Sequence, residues 1–156
     1  MTVLLLALVL GATQSPEAAT DAAAKAFFKA FTEADAQGMK AFLAERVRWD
    51  GDFRLLPPSA PDGTLSRDQL VDGYAKLSGA MGREKWTEIF RNVQPTLARA
   101  SKDGEVLEFV KAGDLIYDLH LREAIRGARS GLDDAVVFVW RIVDGKPRIV
   151  GHFADY

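Results

Sequence analysis

The stretch from Ala135 to Tyr156 constrains the fold more than any other part of this 156-residue chain. Two runs rich in Val, Ile and aromatic residues flank Asp144-Gly145. Asp-Gly accepts the positive φ values of a type I′ turn, whose twist matches that of paired strands, so the stretch reads as a β-hairpin. A two-residue loop there makes Val143 face Lys146, Trp140 face Ile149, Phe138 face Gly151 and Val136 face Phe153. Alternation then puts Phe138, Trp140, Ile149, Gly151, Phe153 and Asp155 on one face, and Val137, Val139, Arg141, Arg148, Val150 and His152 on the other. Both faces are apolar toward the middle. The hairpin therefore belongs inside a larger sheet, covered by helices on one side and by a partner chain on the other.

The rest of the chain must supply that sheet and those helices, and its length suits one domain with a real core. With 48% hydrophobic and 27% charged residues, it has the composition of a soluble globular protein. The 20 basic and 22 acidic residues are interspersed and the net charge is -2, which leaves no footprint for nucleic acid. The absence of cysteine excludes disulfides, thiolate nucleophiles and thiolate metal sites. Two histidines, His120 and His152, are too few for a three-histidine zinc centre, and no metal or other cofactor is expected.

Val3 to Leu10 is an unbroken apolar run followed by small residues and Pro16, which reads as the core and cleavage zone of a signal peptide. It is shorter than the roughly 20 apolar residues that span a bilayer, so no integral membrane segment is expected. Export to a secreted or periplasmic location follows; a docking tail on a cytoplasmic protein is the alternative, since no Lys or Arg precedes the run. Residues 1–19 are then signal peptide and linker, and 20–156 the folded domain.

From Thr20 or Asp21, Ala24, Phe27, Phe28, Phe31 and Ala34 recur at helical spacing, and Gly38 can end the helix. Met39, Phe42 and Leu43 predict a short second helix, and Glu45–Asp50 a strand. Leu55–Gly63, with three prolines, predicts a loop. Leu65, Ser66 and Gln69 carry a staple and capping-box signature for a third helix with the stripe Leu70, Val71, Tyr74, Leu77 and a stop at Gly79. Lys85–Ser101 reads as a strand that either lies at a sheet edge or is bent by a bulge at Pro95. Val106–Val110 and Leu115–Leu121 read as further strands, the latter with Leu115, Tyr117, Leu119 and Leu121 on one face and Ile116, Asp118, His120 and Arg122 on the other. Ile125–Gly131 connects to the hairpin.

Three segments carry a resemblance. Phe27-Phe28-Lys29-Ala30-Phe31 through Gly38 to Trp49 resembles the opening of the nuclear transport factor 2-like (SnoaL-like) superfamily. Ser66–Tyr74 is similar to its middle helix, and Phe138–Lys146 with Ile149 and His152-Phe153 to its closing hairpin. The resemblance implies an α+β cone of the cystatin-like kind: a curved mixed sheet wrapped around a long N-terminal helix plus two shorter ones, with an apolar pocket between and often a homodimer through the outer sheet. Its relatives include isomerases, dehydratases, epoxide hydrolases and polyketide cyclases, along with domains that only bind. Catalytic members use a pocket carboxylate or His to move a proton. The ligand expected on that basis is a small apolar or aromatic molecule, with acid-base chemistry or, alternatively, a non-catalytic binding or assembly role.

Asp155 shares a predicted face with Trp140 and Phe153, where a carboxylate against aromatic walls would make a general base. Cyclase-like members often carry His-x-Asp near this point; here the spacing is His152-Phe153-Ala154-Asp155, which sends the two to opposite faces unless a bulge at Gly151 turns His152 inward. His120 and Asp118 form a second candidate, a carboxylate-oriented imidazole. Trp49, Tyr74, Phe31, Phe138, Trp140 and His152 are the candidate ligand-lining residues, with core packing the alternative for each aromatic.

Overall fold

The computed structural model describes residues 14–50, 58–121 and 135–155, with side chains of the last stretch described from 136 to 153. The apolar run at 3–10 and the connection at 125–131 lie outside the described residues.

Helix α1 (Pro16–Thr32) starts earlier than the apolar stripe suggests. Ser15 accepts a hydrogen bond from the Ala18 amide and Pro16 occupies the first turn, where its missing N–H costs nothing. Residues 16–19, expected as linker, are therefore helical. The helix ends at Thr32, with Ala34 at a φ of 52° just beyond. Gly38 sits instead inside α2 (Ala36–Lys40), donating its amide to Asp35 Oδ1 at 3.0 Å. A Cβ there would lie 2.3 Å from the Asp35 carboxylate, so glycine makes room for the cap rather than stopping a helix.

Strand β1 (Leu43–Asp50) and the short β2 (Thr64–Ser66) lead into α3 (Arg67–Met81). The capping box forms as expected, with the Gln69 amide donating to Ser66 Oγ at 3.3 Å and the Ser66 amide to Gln69 Oε1 at 2.9 Å. The helix runs past Gly79 and stops at Gly82, whose φ is 83°. The next residues contradict the expected strand from Lys85: Arg83–Asn92 is helix α4. Trp86, Ile89, Phe90 and Val93 repeat at i, i+3, i+4 and i+7, and that period decides the conformation. Pro95 falls just before β3 (Thr96–Arg99), an edge strand where its missing donor is harmless. Val106–Val110, expected as a strand, is a run of turns and bends within the 100–114 connection.

With β4 (Leu115–His120), β5 (Ala135–Val143) and β6 (Lys146–Asp155), the strands form a curved, unclosed six-stranded sheet in the order β2-β1-β6-β5-β4-β3. It is antiparallel except for the β1–β6 pair. The β5–β6 hairpin turns at Asp144 and Gly145, both at positive φ, and pairs Val143 with Lys146 and Trp140 with Ile149 as the turn dictates. Beyond that point the register departs from the expected one. Gly151 pairs with Val139 rather than Phe138, so Val150 is an extra residue and a β-bulge. Phe138 now faces His152, and Phe153 faces Val137 rather than Val136.

The inner face of the sheet, including Leu115, Tyr117, Leu119, Phe138, Trp140 and Ile149, packs on α1, α3 and α4 in the main core. On the outer face Val139 and Val150 meet Val110, Phe109 and Leu107 from the 100–114 connection. That part of the outer face is thus covered by the chain itself, where a partner was expected. Asp114, 2% exposed, pins the connection: Arg141 Nε and Nη2 donate to its two oxygens at 2.7 and 2.6 Å, and Nη2 also reaches the Phe109 carbonyl at 3.1 Å. No helix among the described residues is long and apolar enough to cross a membrane.

Candidate functional site

The bulge at Val150 builds the site, because it turns His152 from the outer face to the inner one. The imidazole is 3% exposed, and Nδ1 shares a hydrogen bond of 2.5 Å with the hydroxyl of Tyr74 on α3. The parallel pairing of β1 with β6 sets Trp49 beside it, ring edge toward ring face at 4.6 Å between centroids. Phe138, its cross-strand partner, stacks on it at 4.3 Å and 21°. Three elements therefore fix one side chain. Burial pushes the imidazole down to about 3 and holds the Tyr74 phenol well above its ordinary value, because removal from water penalises the charged form of each. Both partners are neutral near neutral pH.

Tyr74 and His152 form part of the wall of an apolar cavity of about 50 Å³. Phe27, Phe28 and Phe31 of α1, Leu77 of α3, Trp86 and Phe90 of α4, and Leu119, Leu121, Val136 and Phe138 complete it. The Trp86 indole N–H is buried with no hydrogen-bond partner among the described residues. Phe28, Phe90 and Leu119 also line a larger groove of about 570 Å³ between α1, α4 and β4. The two spaces thus share a wall of three side chains, with the Phe28 and Phe90 ring centroids 5.0 Å apart.

Of the residues singled out from sequence, Phe31, Tyr74, Phe138 and His152 come together at the cavity. Trp49 stands behind His152 rather than in the lining, and Trp140, fully buried, packs edge-on against Phe27 at 6.4 Å as core. His120 and Asp118 do meet, with Nε2 to Oδ2 at 3.4 Å, but their side chains are 53% and 27% exposed and on the face away from the cavity. The Asp155 side chain lies outside the described residues. Sequence reasoning missed Trp86 and Phe90 because it read their segment as strand; their spacing of four was the available signal. Among the described residues no group of three or more His, Cys, Asp or Glu is placed to hold a metal ion.

Element order and sheet topology give the cone that the resemblance implied. The fold is nuclear transport factor 2-like. No family model and no curated protein sequence matches this chain. Solved structures similar to it include a candidate calcium/calmodulin-dependent protein kinase type II association domain from Thiobacillus denitrificans, 20% identical, covering 86% of this chain and 91% of that one with a TM-score of 0.46. A ketosteroid isomerase-like protein from Erwinia carotovora atroseptica is 15% identical, with coverages of 90% and 95% and a TM-score of 0.43. A candidate dehydratase from the nuclear transport factor 2-like family of Streptomyces avermitilis is 16% identical, with coverages of 87% and 91% and a TM-score of 0.41. Likenesses of this degree bring no activity or substrate to this chain.

Proposed function

We propose that this chain is an exported domain that binds a small apolar or aromatic molecule, with the apolar end of the ligand in the cavity beside Tyr74–His152 and its remainder in the adjoining groove. The observation that carries the reading is the apolar cavity itself, separated from a much larger groove only by Phe28, Phe90 and Leu119. At about 50 Å³ it admits only a few heavy atoms, less than the roughly 150 Å³ of an engineered cavity that takes up benzene. A drug-sized pocket is of order 300–1,000 Å³, a range into which the groove falls. The ligand is therefore slender at its inner end: an alkyl chain, or the edge of a single ring.

The Tyr74–His152 pair favours binding over acid-base chemistry. A catalytic acid or base works best with a pKa near the operating pH, whereas this imidazole resists protonation down to about 3 and this phenol resists ionisation. The pair offers a fixed dipole in an apolar wall, and the unpaired Trp86 N–H offers a donor to an oxygen of the ligand or to a water.

Isothermal titration with octanol tests the reading. Saturable binding to the wild-type chain, lost when Leu77→Phe narrows the cavity while the melting temperature holds, is the expected result; equal binding to both proteins would place the ligand elsewhere. Export is supported by the apolar run Val3–Leu10. N-terminal sequencing of the protein recovered from its native host would count against it by finding Met1 retained.

A further inference from the structure

We infer that the ligand is an amphipathic monocarboxylate whose acidic head is held in the groove by Lys29 of α1 and Arg91 of α4 while its chain enters the cavity. The inference rests on the binding reading above and names the chemical class it selects. Lys25 and Lys29 stand one helical turn apart on α1, and Arg83, Thr87 and Arg91 recur every four residues on α4, so both helices turn a cationic row toward the groove. Two of the four cations are already paired: Lys25 Nζ lies 2.6 Å from Asp21 and Arg83 Nη2 lies 3.2 Å from Glu33. Lys29 and Arg91 have no ion-pair partner among the described residues. The groove thus keeps two positive charges with no side-chain ion pair among the described residues, in a chain whose net charge is -2. Charge complementarity therefore selects an anion for this one place.

The surroundings select the kind of anion. Phe28, Phe90, Val93, Pro95 and Leu119 make the floor apolar, which suits a head carried on a hydrocarbon chain and not a free inorganic ion. Tyr117 lines the same floor, and burial, with the Asp21 charge beside it, pushes its phenol up to about 12. Its hydroxyl stays protonated and can donate to a carboxylate oxygen. Glu33 and the C-terminal end of α1, the negative end of the helix dipole, lie in the groove as well, which disfavours a doubly charged head such as a phosphate monoester.

Titration calorimetry with octanoate and octanol, which share a chain length and differ in head group, tests this on the full chain. The expected result is that the wild type binds octanoate about tenfold more tightly than octanol, the scale of one charge-assisted hydrogen bond. In the double variant Lys29→Gln, Arg91→Gln that preference disappears. Both side chains are exposed, so the variant folds, and Lys25→Gln, which removes an already paired cation, keeps the preference. Equal affinity for the two ligands in the wild type overturns the inference and leaves the apolar site standing. A preference for octanoate that survives the double substitution overturns the assignment to Lys29 and Arg91. Binding of neither ligand removes the apolar site, and the inference with it.

Discussion

His152 should make the stability of this protein depend on pH well above the carboxylate range. Its imidazole is held at about 3 in the folded chain, against an ordinary 6.5. The unfolded chain therefore takes up a proton over an interval in which the folded chain refuses it. For a group depressed in this way, stability is complete above the unfolded value and drains as pH falls from about 6.5 toward 3. At 1.36 kcal/mol per unit, moving from about pH 8 to about pH 5 costs roughly 2 kcal/mol, and a further fall to the folded value several. Among the described residues Tyr74 from α3, Trp49 from β1 and Phe138 from β5 pack on the ring; of these three only Tyr74 titrates, and it stays neutral throughout. Glu17, Asp62, Asp68 and Glu105 are drawn below their ordinary values by hydrogen bonds and neighbouring cations. Their stabilisation is lost only at lower pH, and it is common to any variant at position 152. Urea unfolding of wild type and His152→Gln at both pH values isolates the term. The wild type should lose about 2 kcal/mol more than the variant between them. Parallel losses, within about 0.5 kcal/mol, would refute the claim that the imidazole is buried and neutral.

Trp140→Ala, which empties a fully buried site against Phe27, should cost about 3–5 kcal/mol in chemical denaturation; a loss within the surface range of about 0.5 kcal/mol would remove the hairpin from the core. Gly151→Ala should destabilise by about 1–3 kcal/mol, because a Cβ there would lie 2.4 Å from the Phe109 ring, and Phe109→Ala should recover part of that loss in a double-mutant cycle. Asp114→Ala should cost about 1–3 kcal/mol, since it strands Arg141 and frees the Lys111 amide. Hydrogen exchange should show the gain in opening confined to the 100–114 connection.

Much of this architecture is legible before any coordinates exist, wherever a local rule and a tertiary demand agree. Asp144-Gly145 dictates its turn, Ser66 and Gln69 their capping box, and the alternation of Leu115, Tyr117 and Leu119 an inward face. The failures fall where two local signals compete. Trp86 to Val93 holds residues that suit strands by type and a helix by spacing, and burial against α1 decides for the period: Trp86 packs on Phe31 at 4.9 Å. Gly38 and Gly79 each read as helix stops, yet one serves a cap on α2 and the other lies in a helix that Gly82 ends. The site turns on one residue of register. Regular alternation sends His152 outward, and only the bulge at Val150 brings it against Tyr74. Glycine at 151 was the one hint, since its missing side chain admits the Phe109 ring. His120 and Asp118 show the converse: the pairing was readable, but an alternation rule cannot say which face meets the cavity.

The most direct test of the central claim is a methyl-labelled sample with octanol bound, in which intermolecular nuclear Overhauser effects are collected from the alkyl chain. Contacts from the chain terminus to the methyls of Leu77, Leu119 and Val136, side chains drawn from a helix and two strands that converge only at the cavity, are the predicted result. A saturated complex whose contacts fall instead on Ile142 and Val143, the exposed apolar end of the hairpin, would contradict it.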